Sequence, residues 1–440
     1  MASVVVGLGK TGASCLRYLS KRGIRASATD SRPAPPGLAE LGSLAQTIDI
    51  RLGGFDLSLL EGATQVLMSP GVPLSEPIAS AARNRGIEVL GDIELFARAV
   101  KAPVIGITGT NGKSTVTSLV AAMAEKAGRR VLAGGNLGRP ALDLLDEPVP
   151  DLYVLELSSF QLETTSSLEL VAAVVLNVTP DHMDRYASIE DYARAKARIF
   201  AHAATVVLNA DDPHVAAMRG GAQRVVTFST GRADADFSVL RDRGRTLLAR
   251  RGQALIDSAR LKISGLHNAA NALAALALGE AAGLPMNGML TALENFPGLG
   301  HRSEWVADID EVRYIDDSKG TNVGATLAAV SGMTGPLVVI AGGEGKGQDF
   351  RPLATAFRGK VRHVVLIGKD AAALESALEG VCPLERAATL PAAVIAAAAA
   401  ARPGDTVLLS PACASLDMFR DYNQRGEVFA AAVRALGGRP

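Results

Sequence analysis

The sequence has few cysteines and no excess of charge of either sign. Its three cysteines, Cys15, Cys382 and Cys413, follow neither a CxxC nor a zinc-ligand spacing. This argues against a disulfide framework or a cysteine metal site and fits a reducing cytoplasm. Lysine plus arginine and aspartate plus glutamate both number 45. No long-range field therefore favours nucleic acid or anionic lipid, and any cations that bind phosphate must be local.

Long apolar runs are absent as well. The most apolar segments, such as residues 171–178, are far shorter than the ~20 residues that a membrane-spanning helix requires. The N-terminus lacks a basic region followed by a long apolar segment and a cleavage site, so we expect no signal peptide. These features predict a soluble cytoplasmic protein without membrane insertion or a nucleic-acid partner, and a monomer is the default.

Short β-branched runs alternate with Ala- and Leu-rich stretches of helical length, which is typical of parallel sheets covered by helices. The runs lie near Val4, Val66, Val104, Tyr153, Val174, Val206, Val338, Val364 and Val407. For 440 residues, about 150 residues per domain predicts roughly three domains. Breaks near 99–103 and 297–300 suggest the boundaries. We predict an α/β fold with three mainly parallel sheets: a Rossmann-like domain (1–92), a P-loop ATPase domain (93–297) and a second Rossmann-like domain (298–440).

A glycine-rich turn follows the first strand. Residues 7–12 read Gly-Leu-Gly-Lys-Thr-Gly and open a helix, and Asp30 ends the next strand. Such glycines let the backbone approach a pyrophosphate, and the acidic residue can hold a ribose hydroxyl. Alone, the pattern favours NAD or a flavin. The domain is short for two mononucleotide halves, however, and we favour another pyrophosphate ligand. The turn Ser69-Pro70-Gly71 either completes that pocket or is a plain turn.

The sharpest motif lies between the strand at residues 104–107 and an Ala- and Leu-rich helix. It consists of Gly109, Thr110, Asn111, Gly112, Lys113, Ser114 and Thr115. Backbone N–H groups of such a loop cradle the phosphates of ATP, the lysine neutralises the β/γ oxygens and the serine binds Mg²⁺. The motif departs from the strict spacing because Ile107 occupies the place of the first glycine.

Three further residues have more than one interpretation. Glu156 ends a strand and is either a helix cap or a ligand of Mg²⁺. His182, among acidic neighbours, is a metal ligand, a base or a hydrogen-bonded turn residue. Lys196 lies on a predicted helix over residues 189–200, where the default for a lysine is a solvated face.

Eight blocks in order resemble the Mur ligases, and among them the D-glutamate-adding members. The blocks are GTNGKST, ELSSFQLE, DHMDRY, GLHNAANALAA, GHR, DDSKGTN, GGEGKGQDF and SPACASLDMF, and the match runs from Gly7 to about Gly426. The resemblance implies an enzyme that uses ATP to join D-glutamate to UDP-N-acetylmuramoyl-L-alanine through an acyl phosphate, a cytoplasmic step of peptidoglycan synthesis.

The resemblance also implies a metal site with two Mg²⁺ ions. Lys113 would bind the phosphates, Ser114 and Glu156 one Mg²⁺, and His182 a second Mg²⁺ bridged by Lys196. In the family, the matching lysine carries CO₂ as a carbamate, which turns an amine into an anionic oxygen ligand. The segment from His182 to Lys196 is one residue shorter here than in the family pattern, and Tyr192 anchors its alignment.

Substrate contacts follow from the same resemblance. Asn268 and Asn271 share a helix face that suits hydrogen bonds to adenine, with helix capping the alternative for Asn268, and Arg302 and Asp317 would also reach the nucleotide. The predicted UDP-sugar contacts are Gly9, Lys10, Thr11, Asp30, Ser31, Arg32, Ser69, Pro70, Gly71, Asn136, Ser159 and His182. The predicted D-glutamate contacts are Lys319, Thr321, Lys346, Ser415 and Tyr422, which stands where the family pattern has phenylalanine.

Two other classes of protein account for part of the sequence. The function of an NAD-dependent oxidoreductase would account for residues 7–12 and Asp30, but it would give no role to the glycine-rich loop at residues 109–115. A non-catalytic nucleotide-binding regulator explains both glycine loops but not the acidic and basic residues at the strand ends. Sibling ligases that add another amino acid, and folate polyglutamate ligases, are nearer alternatives.

Overall fold

The computed structural model describes residues 2–219, 224–263, 265–333 and 335–437. Three α/β sheets of five, nine and six strands follow one another along the chain. This confirms the predicted fold class, and every strand predicted from an apolar run is present. In the described part of the chain, no helix has the length and apolar character that a bilayer crossing requires. The domain boundaries at residues 92 and 297 stay a prediction.

By their packing, the residues form two compact units. The first comprises Met1–Val178, Glu190–Ile256 and Asn271–Glu294, and it contains the first two sheets. The second comprises Thr179–Ile189, Asp257–Ala270 and Asn295–Pro440, and it contains the third sheet.

The first sheet is parallel throughout, in the strand order β3-β2-β1-β4-β5. Its elements are β1 (Ala2–Val6), α1 (Lys10–Lys21), β2 (Arg25–Asp30), α2 (Gly37–Leu41), β3 (Asp49–Leu52), β4 (Gln65–Met68), α3 (Pro77–Asn84), β5 (Glu88–Leu90) and α4 (Asp92–Ala97). The β-branched side chains of β1 are buried, as expected for a strand covered by helices on both faces. Strand order reverses between β1 and β4, and the loops after these strands therefore flank the crevice where such sheets bind ligands.

The second sheet has the order β14-β13-β12-β11-β10-β9-β6-β8-β7. Its elements are β6 (Val104–Thr108), α5 (Lys113–Lys126), β7 (Val131–Gly135), α6 (Ala141–Leu144), β8 (Leu152–Glu156), α7 (Ser159–Glu163), β9 (Ala172–Val175), α8 (Ile189–Ala197), β10 (Val206–Asn209), α9 (Pro213–Ala216), β11 (Val225–Ser229), β12 (Phe237–Asp242), β13 (Arg245–Arg250), β14 (Gln253–Asp257), α10 (Leu266–Ala281) and α11 (Met286–Asn295). Strand β6 lies between β8 and β9 and is parallel to both. The carboxyl ends of these three strands therefore meet at one edge of the sheet.

The third sheet has the order β15-β16-β20-β17-β18-β19. Its elements are β15 (Glu304–Ile309), β16 (Val312–Asp316), α12 (Val323–Gly332), β17 (Leu337–Gly342), α13 (Arg351–Phe357), β18 (Val361–Ile367), α14 (Ala371–Leu378), β19 (Leu384–Arg386), α15 (Leu390–Ala400), β20 (Thr406–Leu409) and α16 (Tyr422–Gly437). Only the β15–β16 pair is antiparallel among the pairs described. Strand β20 lies between β16 and β17, so the loops after β16, β17 and β20 adjoin. The alanine run at residues 396–401 forms most of the second half of α15, as the high helix propensity of alanine favours.

Candidate functional site

A pocket of about 670 Å³ lies at the carboxyl ends of β1, β2 and β4, and residues after β7 complete it. Ten of the twelve predicted UDP-sugar residues line it: Gly9, Lys10, Thr11, Asp30, Ser31, Arg32, Ser69, Pro70, Gly71 and Asn136. Ser159 and His182 are not among its lining residues. The structure therefore brings residues from Gly9 to Asn136, more than 120 positions apart in the sequence, into one pocket.

Glycines shape the wall of this pocket. A Cβ at Gly12 would lie 2.0 Å from the carbonyl oxygen of Gly7, so only glycine permits helix α1 to begin this close to β1. At Gly9, by contrast, a Cβ would meet no described atom within 4 Å, and the backbone is open to an approaching group. The Ser69 hydroxyl donates to the Gly7 carbonyl at 2.6 Å. Ser69 therefore ties its turn to the glycine loop and does more than reverse the chain.

Asp30 is buried and organises the loop beside it. Its carboxylate accepts the N–H of Leu8 at 2.6 Å, and it accepts the backbone N–H of Arg32 at 2.8 Å and the Arg32 guanidinium at 2.7 and 2.9 Å. Burial alone would raise the pKa of Asp30, but the hydrogen bonds from Arg32 and Leu8 lower it below its ordinary value. The ionised Asp30 carboxylate therefore holds the Arg32 guanidinium at the pocket. A contact between Asp30 and a ribose stays a prediction.

Paired side chains join the first sheet to the second beside this pocket. Lys10 Nζ donates to the Gly138 carbonyl at 2.6 Å, and Arg17 forms an ion pair with Asp143 at 2.8 Å. Glu94 accepts the N–H groups of Ser166 and Ser167 at 2.8 and 3.0 Å and the Ser167 hydroxyl at 2.7 Å. Lys10 and Gly138 both line the pocket, so their hydrogen bond joins the two sides of its wall.

Asp92 is a buried carboxylate at the same junction. Its Oδ2 accepts the Gln161 amide at 3.0 Å, while Oδ1 is buried without a hydrogen bond in the described part of the chain. Burial raises its pKa to about 6, although the hydrogen bond from Gln161 opposes this change. Gln161 itself lines the pocket, so Asp92 holds a lining side chain in place.

Three hydrogen bonds with Asn177 hold the backbone of the loop between β6 and α5 in place. The side-chain oxygen of Asn177 accepts the Asn111 N–H at 2.8 Å, its amide donates to the Asn111 carbonyl at 3.1 Å, and its own carbonyl accepts the Thr110 N–H at 2.9 Å. Gly112 occupies the N-cap of α5 in a left-handed conformation with φ of 84°. A glycine N-cap supplies no side-chain acceptor to the first helical turn, the position where phosphate oxygens bind in such loops.

Lys113 folds back over this loop. Its Nζ donates to the carbonyl oxygens of Gly109 and Thr110, both at 2.8 Å. Ser114 and Thr115 follow on α5 and are buried. A Cβ at Gly112 would lie 2.4 Å from the Asn271 side-chain oxygen, so Asn271 packs directly against the loop. The lysine, the serine and one of the two predicted adenine residues therefore surround one small region of backbone N–H groups.

Glu156 is the last residue of β8, next to β6, and is buried. The helix-cap alternative for it is wrong: the N-cap of α7 is Ser158, which forms a capping box with Gln161. Glu156 Oε1 accepts the Asn136 amide at 2.6 Å, while Oε2 is buried and makes no hydrogen bond within the described residues. A buried carboxylate oxygen without a donor is costly unless a cation satisfies it, so this side chain fits a Mg²⁺ ligand.

Lys196 is also buried, with 1% of its surface exposed. The default of a solvated face is therefore wrong. Its Nζ donates to the Gly109 carbonyl at 3.0 Å and lies 4.3 Å from the centroid of the Tyr192 ring. The helix predicted over residues 189–200 is α-helical to Ala197 and continues as a 3₁₀ turn over Arg198–Phe200. The fold therefore brings Lys196 to the loop between β6 and α5, where its partner Gly109 lies 87 residues away in sequence. This loop, residues 109–115, is called the phosphate loop below.

In the second unit, the segment Thr179–Ile189 carries His182. The residue has a positive φ of 58°, and its N–H donates to Asp181 Oδ1 at 3.0 Å. Asp181 in turn accepts the Asn322 amide at 3.3 Å and lies 4.0 Å from Lys346 Nζ. These contacts leave the three interpretations of His182 open.

The predicted D-glutamate residues all lie in the second unit, on adjoining loops. Lys319 and Thr321 follow β16, Lys346 follows β17, Ser415 follows β20, and Tyr422 begins α16. Lys319 Nζ lies 3.8 Å from the centroid of the Tyr422 ring. The loop after β17 is held to the loop after β20 by an isolated bridge between Glu344 and Ala414. Two lysines, a buried hydroxyl and a phenol therefore gather at one edge of the third sheet.

The second unit also holds three predicted nucleotide residues. Asn268 lies inside the first turn of α10 rather than at its N-cap, since the helix begins at Leu266. Asp317 Oδ1 accepts the Ser303 N–H at 3.1 Å and Oδ2 accepts the Ser410 hydroxyl at 2.8 Å, and burial raises its pKa to about 7. Asp317 thus fixes the backbone directly after Arg302.

Sequence reasoning missed several residues of these sites. Phe55, Glu76 and Gln161 line the first pocket, and Asp92 supports it. The sequence does carry a signal for Gln161, because it belongs to the block ELSSFQLE. Phe55 and Glu76 lie in loops without a recognisable pattern, and only the folded chain brings them to the pocket.

Comparisons with known proteins agree with this arrangement. Residues 1–91 match the model for the Mur ligase MurD-like N-terminal domain, residues 107–279 that for the Mur ligase middle domain, and residues 301–413 that for the Mur ligase glutamate ligase domain. A relative from Nitrosococcus oceani is 56% identical over 99% of this chain and 96% of its own length. Another from Methylococcus capsulatus is 49% identical over 98% of this chain and 94% of its own. Both relatives are named UDP-N-acetylmuramoylalanine--D-glutamate ligase.

Solved structures of lower identity share the fold. A UDP-N-acetylmuramate-alanine ligase MurC from Thermotoga maritima matches with a TM-score of 0.62 at 19% identity, covering 99% of this chain and all (100%) of that one. A MurF from Acinetobacter baumannii matches with a TM-score of 0.64 at 17% identity, covering 98% of this chain and 90% of that one. Because three family models match successive parts of the chain and relatives of about half identical sequence match nearly all of it, the chain belongs to the Mur ligase family.

Proposed function

We propose that this chain is an ATP-dependent amide ligase that adds D-glutamate to UDP-N-acetylmuramoyl-L-alanine, a step in the synthesis of peptidoglycan precursors. The observation that carries the proposal is the 56% identity, across 99% of the chain, with a relative named for that activity. An oxidoreductase would leave both the family membership and the loop at residues 109–115 unexplained.

The first pocket supports binding of the UDP-sugar. The open backbone at Gly9 lies at the N-terminus of α1, where N–H groups and the helix dipole favour a pyrophosphate. Lys10 and Arg32 line the same pocket and supply the local positive charge that a neutral protein needs to hold a dianion. Asp30 keeps Arg32 oriented. Asn136 lines this pocket and also donates to Glu156, so it links the sugar site to the region of the phosphate loop.

The reaction proceeds in two displacements. An oxygen of the alanyl carboxylate attacks the γ-phosphorus of ATP, the bond to the β-phosphate oxygen breaks, and ADP leaves. The amine of D-glutamate then attacks the acyl carbon, and inorganic phosphate leaves as the amide forms and the amine loses its proton. Lys113 and the N–H groups at the start of α5 hold the phosphates and offset the repulsion between the anionic reactants, so positioning and charge neutralisation supply most of the rate.

We assign Ser114 and Glu156 as ligands of one Mg²⁺. The buried Oε2 of Glu156, which has no hydrogen-bond partner among the described residues, supports this assignment. A bound Mg²⁺ would neutralise charge on the phosphate oxygens. His182 as a ligand of a second Mg²⁺ rests on the family resemblance alone.

Lys196 is proposed to carry CO₂ as a carbamate. Its burial supports this assignment, because a buried ammonium is costly and the carbamate forms from the neutral amine. Its position beside Gly109 would place the new anionic oxygens at the phosphate loop.

The loops after β16, β17 and β20 are proposed as the amino-acid site. D-Glutamate brings two carboxylates, and Lys319, Lys346, Thr321 and Ser415 offer cations and hydroxyls for them. Asn268, Asn271, Arg302 and Asp317 remain the proposed contacts of ATP. Free cysteines at positions 15, 382 and 413 fit the proposed cytoplasmic location, and a monomer stays the expected state.

Phosphate release with UDP-N-acetylmuramoyl-L-alanine, measured against a panel of amino acids, tests the proposed function. We expect turnover with D-glutamate that depends on ATP and Mg²⁺. The matched controls are L-glutamate, L-alanine and diaminopimelate, which differ in stereochemistry or in the second carboxylate. Turnover with L-alanine or diaminopimelate but not with D-glutamate would overturn the substrate assignment and favour a sibling ligase.

A further inference from the structure

The strongest unused feature is a buried arginine near the proposed amino-acid site. Arg425 lies on α16 and is 1% exposed. Its Nε donates to the Ser318 hydroxyl at 3.0 Å, one terminal nitrogen donates to the Ser318 carbonyl at 2.7 Å, and the other donates to the Cys413 carbonyl at 3.1 Å. All of these acceptors are neutral. Surface charge or an ordinary ion pair therefore does not explain why the chain buries this cation.

The residues that Arg425 contacts are neighbours of the residues proposed to bind the amino acid. Ser318 directly precedes Lys319, and Cys413 lies two positions before Ser415. Tyr422 lies one turn before Arg425 on α16, and its carbonyl accepts the Ser318 hydroxyl at 2.8 Å. One guanidinium thus ties together three segments that come from different parts of the third sheet.

These segments contain little regular secondary structure. The chain between Leu409 and Tyr422 contains no helix or strand element, and Ala412 within it has a positive φ of 59°. The loop after β16 is equally irregular. A planar guanidinium with fixed donor directions specifies such a junction better than a flexible ammonium, which offers one nitrogen instead of three.

Helix α16 is closely packed at the residue that follows Arg425. A Cβ at the next residue, Gly426, would lie 2.1 Å from His301 Nδ1 and 2.6 Å from Asp316 Oδ2. Burial lowers the pKa of Arg425 to about 10, while the nearby carboxylates of Asp316, Asp317 and Asp417 oppose this change. The guanidinium therefore stays charged at neutral pH, and its hydrogen bonds are the strong, charge-assisted kind.

We propose that Arg425 is the positioning residue of the amino-acid site: by joining the loops after β16 and β20 to the start of α16, it sets the relative places of Lys319, Ser415 and Tyr422. Arg425 does not contact the amino acid itself. The inference rests on the proposed function only in placing the amino-acid substrate at these three residues.

The test is a comparison of Michaelis constants in the full-length enzyme. The amino acid that drives phosphate release in the wild type is identified first, and KM is measured for that amino acid, for ATP and for the UDP-sugar. For Arg425→Lys, which keeps the charge but cannot reach all three acceptors, we expect KM for the amino acid to rise about tenfold or more, which corresponds to about 1.4 kcal/mol. KM for ATP and for the UDP-sugar should change by less than about twofold.

Two further variants keep the proposal testable. Ser318→Ala removes only the hydroxyl between Arg425 and Tyr422, and we expect a smaller rise in the same KM with normal folding by circular dichroism. Arg434→Lys, an exposed position on the same helix, is the matched control and should leave all three constants unchanged. Folded Arg425 and Ser318 variants with an unaltered KM for the amino acid would overturn the proposal, as would a loss of active protein with no change in any KM. A wild type that prefers another amino acid refutes D-glutamate as the substrate but leaves this comparison intact.

Discussion

The chain contains two glycine-rich turns of similar appearance, and they are built differently. In both, a buried strand ends, glycines follow, and a helix begins, at Lys10 in the first sheet and at Lys113 in the second. In the first turn, a buried carboxylate, Asp30, receives the loop N–H and holds an arginine at the pocket. In the second, the lysine of the motif folds over the loop itself, and an asparagine braces the backbone.

This difference shows what each turn is suited to do. The first keeps its charges at the wall of a wide pocket, which suits binding of a diphosphate that does not react. The second concentrates Lys113, Glu156 and Lys196 around a few N–H groups, which suits a phosphate whose charge changes during the reaction. Substitutions in the first turn should therefore affect mainly KM, and substitutions around the second should affect mainly kcat.

The largest expected effect is that of Lys113→Ala. Removal of the cation proposed to neutralise the transferred phosphate should lower kcat by about a thousandfold or more. We expect the protein to stay folded, because the Lys113 side chain is only half-buried. ADP release in the presence of both substrates is the measurement. Lys126→Ala, an exposed lysine at the end of the same helix, is the control. Near-normal turnover of Lys113→Ala would end the assignment of this loop to ATP.

A slightly smaller and partly reversible loss is expected for Lys196→Ala. The variant should be largely inactive because the anionic ligand proposed at this position is missing. Short carboxylic acids such as formate or acetate should restore part of kcat, since their oxygens can take the place of the carbamate oxygens. Arg194→Ala on the same helix, with 74% of its side chain exposed, should need no rescue. Full activity of Lys196→Ala without any added acid would show that this lysine is scaffold.

The smallest effect is expected in the first turn. Arg32→Ala should raise KM for the UDP-sugar about tenfold, about 1.4 kcal/mol. We expect kcat to change little, because the proposed contact of the guanidinium with the UDP-sugar would be equally strong in the ground and transition states. Arg51→Ala, which removes another partly exposed arginine from the same sheet, should leave this KM unaltered. A fall in kcat of Arg32→Ala equal to that of Lys113→Ala would erase the distinction between the two turns.

Much of the fold could be predicted because parallel strands buried on both faces are continuous β-branched runs. The strands at Val104, Val338 and Val364 show this pattern plainly. The short strands β3, β5 and β19 have no such pattern and were not predicted. The hairpin strands β12 and β13, which are buried over only part of their length, were not predicted either.

The site was predictable where a local pattern carries the chemistry. The loop at residues 109–115 is one such place, because the glycines and the lysine are contiguous. Lys196 illustrates the opposite case, since periodicity predicts a solvated helix face and only the fold brings its amine to Gly109. Arg425 is similar, because its importance depends on two carbonyl groups and a hydroxyl from distant segments. Contacts between segments that are far apart in the sequence are set by tertiary structure and leave no local signal.

The carboxylates of α4 have a consequence for how this enzyme can be divided. Glu94 satisfies three donors of the second sheet's loop at Ser166 and Ser167, and Asp92 satisfies the amide of Gln161. A chain shortened to begin at residue 101 would leave those donors without acceptors. The portion of the chain that contains the second sheet should therefore be unsuited to excision or to fusion with a foreign partner. The reason is that residues 1–100 of the chain supply hydrogen-bond acceptors to its loops and are not an independent module.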